Sequence, residues 1–248
     1  MRGRLLVATA LLLAGCAAGV KTVAYQVAGG VREALECRPP GAGPFPAVVF
    51  NHGSIVDGHG YAGASRVGYR LDRFCEALAA EGWLAYAPIR EPAPRGRGFD
   101  SYEDVYVDIV AGAIDSVKRR RDVDKSRIAL MGFSMGGLVS LRTSLGRNDL
   151  AALVLLAPAA GRGIMQSTLD DVARVAPPVL VMVEAGDSPH ILNGVDNLTI
   201  ALRSRNKDVK VIRYDRGGGH QLFYDVTYWW PDARTFLADK LKPRPGGR

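Results

Sequence analysis

The chain has 248 residues, of which 48% are hydrophobic and 23% are charged. These values are typical of a folded globular protein, and they exclude both a disordered chain and a small scaffold that depends on disulfide bonds. We expect one domain, because no linker, internal repeat or low-complexity segment divides the sequence. The formal net charge of +7 raises the question of an acidic partner.

Residues 1–15 have the pattern of an export signal. Arg2 and Arg4 precede an uncharged apolar run over residues 5–14, which is too short to span a bilayer. The run closes on LAGC at residues 13–16, which resembles the bacterial lipobox, where cleavage before the cysteine follows attachment of diacylglycerol. We expect a signal peptide over residues 1–15 and a lipidated Cys16 that holds the protein at a membrane of the cell envelope, facing the periplasm or the cell exterior. The alternatives are an ordinary signal peptide cut a few residues later and an uncleaved apolar N-terminus.

Removal of residues 1–15 takes away two arginines and lowers the formal charge to +5. The densest remaining basic run, residues 118–121, falls at the end of a predicted helix, where cations complement the carbonyl end of the helix dipole. Since basic and aromatic residues do not alternate anywhere, we expect no nucleic-acid partner. Cys37 and Cys75 could pair in an oxidising compartment, but Cys75 lies on the apolar face of a predicted helix, which fits a buried thiol equally well.

Short aliphatic runs alternate with helical patterns from residue 47 onward, which is typical of a parallel sheet covered by helices on both faces. An additional hairpin is predicted at the sheet edge from residues 22–27 and 32–37. We therefore expect an α/β fold with about eight strands in one mostly parallel sheet, over residues 22–242. The other predicted strands are residues 47–50, 83–87, 128–131, 153–157, 179–183 and 209–214.

Residues 132–137 read GFSMGG and lie between a predicted strand and a predicted helix. This is the G-x-S-x-G pattern in the strand-turn-helix context of a nucleophile elbow, where the glycines permit a sharp turn and close backbone approach. Ser134 would project above the carboxyl end of the sheet. It is the candidate nucleophile.

A serine hydroxyl needs a base and an acid that orients the base, in the chain order Ser, acid, His. His220 follows the last predicted strand and the flexible residues 217–219, so we expect it to be the general base. Asp187 comes just after the penultimate strand and is the candidate acid. Glu184 and Asp215 are the alternatives, with structural or solvent-exposed roles.

The three other histidines are assigned to loops: His52, which directly follows a strand, would shape its loop, while His59 and His190 could equally face solvent.

The oxyanion formed by attack on a carbonyl needs backbone N–H donors. Met135, which follows the nucleophile, would supply one. The second should come from the loop after the strand at residues 47–50, with Ser54 as the first choice and Ile55 as the second.

These residues resemble the α/β-hydrolase superfamily, and within it the dienelactone hydrolase-like and prolyl-oligopeptidase-like serine hydrolases. The matching segments are residues 51–53, 122–128, 132–137, 186–187 and 219–223, and the similarity covers almost the whole chain after the signal. It implies a Ser134, Asp187, His220 triad that hydrolyses carboxylic esters. Dienelactone hydrolases proper use cysteine as the nucleophile, and prolyl oligopeptidases carry a large additional domain for which this chain has no room.

The remaining features concern access to the site and the competing functions. Only residues 158–178 separate the predicted strands at residues 153–157 and 179–183. This segment is long enough for one short helix near residues 168–175 but not for a large lid, so we expect an open site. Two loops would line it, a glycine-rich stretch at residues 54–69 and residues 90–99 with Arg95 and Arg97, which could favour an acidic substrate group or merely face solvent.

No metal-binding or nucleotide-binding motif occurs, and we expect no metal and no cofactor. The leading hypothesis is an esterase acting on a small-molecule ester; the alternatives are a small peptidase or amidase with the same triad, and a catalytically inactive envelope protein.

Overall fold

The computed structural model describes residues 19–27, 29–90, 103–161 and 163–243. An eight-stranded sheet forms its centre, with the spatial order β1-β2-β4-β3-β5-β6-β7-β8. The first two strands form an antiparallel hairpin, β2 pairs antiparallel with β4, and the other pairings are parallel, so the predicted sheet with its edge hairpin is confirmed. The strands are β1 (Lys21–Val27), β2 (Gly30–Cys37), β3 (Phe45–Asn51), β4 (Leu84–Pro88), β5 (Val123–Phe133), β6 (Ala152–Leu156), β7 (Val179–Glu184) and β8 (Val209–Tyr214).

Helices cover the sheet. Every residue of β4, β6 and β7 is buried, as expected for parallel strands with helices on both faces. No helix in the described ranges is long and apolar enough to cross a membrane. The helices are α1 (Ser54–Arg66), α2 (Leu71–Ala80), α3 (Glu103–Lys118), α4 (Met135–Leu145), α5 (Ile164–Asp170), α6 (Pro189–Ser204) and α7 (Trp230–Lys240).

The first loop predicted to line the site is instead mostly helical. Residues 54–66 form α1, which is interrupted at Gly60, where φ is 67° and ψ is 169°. Glycines disfavour a helix, which is why the sequence pattern indicates a loop; burial of Val56 and Ala64 favours the helix. The predicted short helix near residues 168–175 also begins earlier, since Gly163 adopts a left-handed conformation (φ 98°) directly before α5. The described residues between β6 and β7 form only α5 and a short 3₁₀ turn, which confirms that this segment carries no large lid there.

The structure settles the state of two cysteines that the sequence left open. Cys37 at the end of β2 and Cys75 in α2 form a disulfide, with their Cα atoms 5.4 Å apart. This separation lies in the ordinary range for a disulfide. The bond ties the edge hairpin to the helix that packs on it.

Candidate active site

Ser134 occupies the turn between β5 and α4 in a conformation that few non-glycine residues adopt, with φ of 54° and ψ of −119°. Hydrogen bonds fix the turn from both sides. Its N–H donates to Leu156 O at 2.9 Å, and its carbonyl accepts from the N–H groups of Ala159 (2.8 Å) and Leu138 (3.1 Å). The neighbouring strand and the following loop therefore hold the strained backbone in place.

The two glycines of the G-x-S-x-G pattern are required by close backbone approach. A Cβ on Gly132 would lie well under 3.0 Å from the carbonyl oxygen of Gly136, and a Cβ on Gly136 would overlap the carbonyl oxygens of Asn51 and His52. Real Cβ atoms essentially never come so close to backbone atoms. The start of α4 thus lies directly against the last residue of β3 and the residue that follows it.

Asp187 and His220 form a hydrogen-bonded pair at the same carboxyl edge of the sheet. His220 Nδ1 lies 2.7 Å from Asp187 Oδ2, and the other carboxylate oxygen accepts the N–H of Ser188 at 2.7 Å. Since an ionised carboxylate only accepts, His220 Nδ1 carries the proton and Nε2 is left to accept one. The side chain of Asp187 is 2% exposed and that of His220 is 30% exposed, so the acid is shielded while the imidazole faces the opening.

The imidazole of His220 packs on the residue before the candidate nucleophile. Its ring centroid lies 4.8 Å from that of Phe133. In the described part of the chain no hydrogen bond joins the Ser134 hydroxyl to His220, and such catalytic hydrogen bonds are often long in the absence of substrate. The structure therefore pairs His220 with Asp187 and places the imidazole against Phe133, the residue before Ser134.

Glu184, one of the two alternative acids, has a structural role. Its buried carboxylate accepts the N–H groups of Gly186 (2.6 Å), Arg216 (3.1 Å) and Gly217 (3.0 Å). Burial alone would raise the pKa of Glu184, but these donors outweigh it and the pKa is lowered. Glu184 thereby joins the turn before Asp187 to the glycine-rich loop before His220, whereas the other alternative acid, Asp215, is exposed.

Two helix N-termini meet at Ser134. Gly53 lies so close that a Cβ there would be 3.5 Å from Ser134 Cβ. The N–H of Gly53 is occupied by the hydroxyl of Tyr69 at 3.3 Å, so it cannot serve an oxyanion. Within the described ranges, no hydrogen bond uses the N–H groups of Ser54 and Ile55 in the first turn of α1. These first-turn amides are the donors that a helix leaves unsatisfied.

Met135 is the first residue of α4, and its N–H is likewise without a partner in the part of the chain that the structure describes. The predicted oxyanion donors therefore start two helices whose N-termini lie beside the Ser134 turn. The positive ends of both helix dipoles are suited to negative charge there.

A buried polar cluster around Arg90 is not predicted by the sequence pattern. Arg90 lies two residues after the end of β4 and is 1% exposed, although an arginine at the start of a loop suggests a solvent-facing charge. Its guanidinium donates to Asn51 Oδ1, to His52 O at 2.6 Å and to Asp57 Oδ2 at 2.9 Å. A buried charge requires polar partners, so the polar residues at positions 51, 52 and 57 were the sequence signal that could have indicated this cluster.

His52 is held as a neutral imidazole within this cluster. Its Nε2 accepts the backbone N–H of Arg90 at 3.0 Å, so Nδ1 carries the proton and donates to Gly53 O at 3.0 Å. Burial and the nearby Arg90 charge hold the pKa of His52 well below its usual value. Burial also raises the pKa of Asp57, and Arg90 opposes this. His52 therefore shapes the loop, as predicted.

Several predicted features lie elsewhere. His59 and His190 are exposed, but they lie in α1 and α6 and not in loops as predicted. The signal peptide, Cys16, Arg95 and Arg97 fall outside the described residues. No group of three or more candidate metal ligands occurs among the residues that the structure describes.

Comparisons with known proteins agree with this architecture. The family model "Dienelactone hydrolase family" matches residues 38–226. A Klebsiella pneumoniae protein assigned as a dienelactone hydrolase superposes with a TM-score of 0.67 at 21% identity, over 90% of this chain and 98% of that one. The carboxylesterase EstE1, cloned from a metagenomic library, gives 0.69 at 17% identity, over 93% and 92%.

Dipeptidyl peptidase 4 from Porphyromonas gingivalis gives a TM-score of 0.70 at 18% identity, but the match covers 89% of this chain and only 35% of that one. A comparison with curated proteins finds no match. At these identities the structural similarities show the fold, while the family model spans most of the sequence. The chain belongs to the dienelactone hydrolase family of α/β-hydrolases.

Proposed function

We propose that the protein is a serine hydrolase that cleaves carboxylic esters through Ser134, His220 and Asp187. The observation that carries the proposal is the 2.7 Å hydrogen bond between Asp187 and His220, set at the sheet edge where Ser134 occupies its strained turn. A carboxylate that fixes the Nδ1–H tautomer leaves Nε2 free to accept a proton from a hydroxyl. A cysteine nucleophile, as in dienelactone hydrolases proper, is replaced here by Ser134.

The reaction proceeds in two halves. Ser134 Oγ attacks the ester carbonyl carbon while His220 Nε2 takes the hydroxyl proton, and the resulting oxyanion accepts hydrogen bonds from the N–H groups of Met135 and Ser54 or Ile55. Collapse of the intermediate breaks the ester C–O bond, and His220 gives its proton to the departing alcohol. Water then attacks the acyl-enzyme while His220 Nε2 takes its proton. Collapse of this second intermediate breaks the bond between the acyl carbon and Ser134 Oγ, His220 returns the proton to Oγ, and the carboxylic acid leaves.

Asp187 stays ionised throughout and stabilises the transient imidazolium. Neutral His52 takes no part in proton transfer, because both of its ring nitrogens are occupied. The small-molecule ester is the only partner that this chemistry needs.

Steady-state hydrolysis of nitrophenyl esters with short and medium acyl chains tests the proposal. We expect turnover by the wild-type protein and a loss of at least about 10³-fold in kcat for Ser134→Ala. Ser126→Ala is the matched control, because Ser126 lies toward the opposite end of β5 and is exposed. Ester hydrolysis that survives in Ser134→Ala would contradict the nucleophile.

The same assay separates the competing functions. Faster cleavage of the matching nitroanilides than of the esters would indicate a peptidase or amidase. No turnover of any ester or anilide would indicate an inactive envelope protein.

The proposal extends to location: export through residues 1–15 and lipidation of Cys16, which would hold the domain a few residues from the membrane. The Cys37–Cys75 disulfide supports export, because such bonds persist in oxidising compartments. Mass spectrometry of the mature N-terminus tests it. A diacylglycerol-modified Cys16 is expected, and a free, unmodified Cys16 would contradict the anchor.

A further inference from the structure

The side chain of Arg90 is completely buried, and its side-chain hydrogen bonds in the described part of the chain all go to residues 51–57, from the last residue of β3 to the first turn of α1. Its guanidinium donates to Asn51 Oδ1, His52 O and Asp57 Oδ2, and its backbone N–H donates to His52 Nε2. An arginine in the interior must have its charge and donors satisfied. Its two terminal guanidinium nitrogens donate to a side-chain amide, a carbonyl and a carboxylate from residues 51–57, and its backbone N–H donates to an imidazole. Arg90 Nε has no hydrogen-bond partner in the described part of the chain.

The Asn51 amide carries this constraint to the nucleophile turn. A guanidinium only donates hydrogen bonds, so the Asn51 oxygen faces Arg90 and the amide nitrogen faces the other way. That nitrogen donates to Gly136 O at 3.1 Å, in the first turn of α4. Arg90 thereby determines the amide orientation that links the end of β3 to the turn containing Ser134.

The linked parts are the two that supply the oxyanion donors. One carries Ser54 and Ile55, and the other carries Met135. They touch where Gly136 packs on the carbonyls of Asn51 and His52, so a shift of the segment changes the distance between the donors. Oxyanion stabilisation depends steeply on this geometry, since a displacement of about 1 Å can cost 10²-fold in rate.

We propose that Arg90 is a positioning residue that holds residues 51–54 against the nucleophile turn and so sets the separation of the two oxyanion donors. This inference rests on the proposed function. Arg90 touches neither the Asp187–His220 pair nor the reacting atoms; it acts on the transition state through the backbone it holds.

Arg90→Lys is the test variant, since lysine keeps the charge but lacks the planar fork that reaches several acceptors at once. Arg120→Lys is the matched control. The Arg120 guanidinium also bonds to two carboxylates, Asp122 and Glu36, but it lies next to the start of β5, at the opposite edge of the sheet. Thermal melting of both variants measures the purely structural effect.

Two kinetic readouts distinguish positioning from simple loss of stability. In Arg90→Lys we expect kcat for ester hydrolysis to fall about 10- to 100-fold with KM within about threefold of the wild-type value. An aryl boronic acid, which forms a tetrahedral adduct with a nucleophilic serine, should lose affinity by a similar factor. The shape of the pH profile should not change, because the base and its acid are untouched. Arg120→Lys should keep wild-type kcat and boronate affinity.

Asn51→Asp provides a second variant of the same size should Arg90→Lys not fold. It retains an acceptor for Arg90 but turns the donor that faces Gly136 O into an oxygen, so the same fall in kcat and boronate affinity is expected. A folded variant with wild-type kcat and boronate affinity would overturn the inference. A wild-type protein that neither hydrolyses esters nor binds the boronate would instead refute the proposed function, so the two failures are distinguishable.

Discussion

The Asp187→Asn substitution should inactivate the enzyme without changing its shape. One carboxylate oxygen accepts the N–H of Ser188 at 2.7 Å and the other faces His220 Nδ1 at 2.7 Å. An asparagine must direct its oxygen to the Ser188 N–H, which places its NH₂ group against His220 Nδ1. The imidazole then carries its proton on Nε2, where it can no longer accept the Ser134 proton.

The expected loss has two parts. The imidazolium and carboxylate charges, centred about 4 Å apart, attract by about 4 kcal/mol at an effective dielectric of 20, which corresponds to about 10³ in rate. Inversion of the tautomer adds about 1 to 2 kcal/mol, the cost of a misplaced donor. We therefore expect kcat to fall about 10⁴-fold, the size of loss found when other triads lose this charge.

The assay is steady-state ester hydrolysis at pH 7 to 8, with thermal melting to show that Asp187→Asn is folded. Asp215→Asn is the matched control, since Asp215 is exposed at the end of β8, and it should stay within about twofold of wild type. A folded Asp187→Asn with kcat within tenfold of wild type would refute the assignment of Asp187 as the acid that orients His220.

Three further predictions concern packing, the disulfide and pH. Gly136→Ala should lower kcat at least about 10²-fold, because the new Cβ forces the start of α4 away from the carbonyls of Asn51 and His52. Gly146→Ala, at the other end of α4, should leave kcat unchanged, since a Cβ there meets nothing closer than 4.0 Å. Equal kinetics of the two variants would contradict the close-approach explanation. Replacing both Cys37 and Cys75 by alanine should reduce the free energy of unfolding by about 4 kcal/mol, because the disulfide closes a loop with a sequence separation of 38 residues, and kcat should not change. Denaturant titration measures this loss, and a change below about 1 kcal/mol would contradict it. Burial and the Arg90 charge hold the pKa of His52 in the folded protein well below 6.5, so the unfolded chain binds the proton first as the pH falls, and the free energy of unfolding should decrease below pH 6.5. A His52→Gln variant should lose this component, and an equally steep pH dependence in that variant would contradict the assignment.

The sheet was predictable because its signals are local. The apolar run of β7 identifies Val179–Glu184 to within one residue, and β8 was placed without error. α1 was not predictable from propensity, since its glycines disfavour a helix and only the burial of Val56 and Ala64 compensates. Pairing of the cysteines also depends on tertiary geometry, which spacing alone does not provide.

The candidate site divides in the same way. Ser134, Asp187 and His220 each follow a strand, and parallel strands bring their carboxyl ends to one edge, so their approximate placement follows from the order of elements. Arg90 could not be assigned from sequence. Its partner Asp57 is 33 residues away, and an arginine after a strand more often faces solvent than the interior.

Covalent labelling shows whether Ser134 is an activated nucleophile. The protein is treated with a fluorophosphonate, digested and mapped by mass spectrometry, with Ser134→Ala and Ser126→Ala treated in parallel. We expect one phosphonyl adduct, on Ser134, in the wild type and in Ser126→Ala, and none in Ser134→Ala. An adduct on another residue, or labelling that persists in Ser134→Ala, would contradict this assignment.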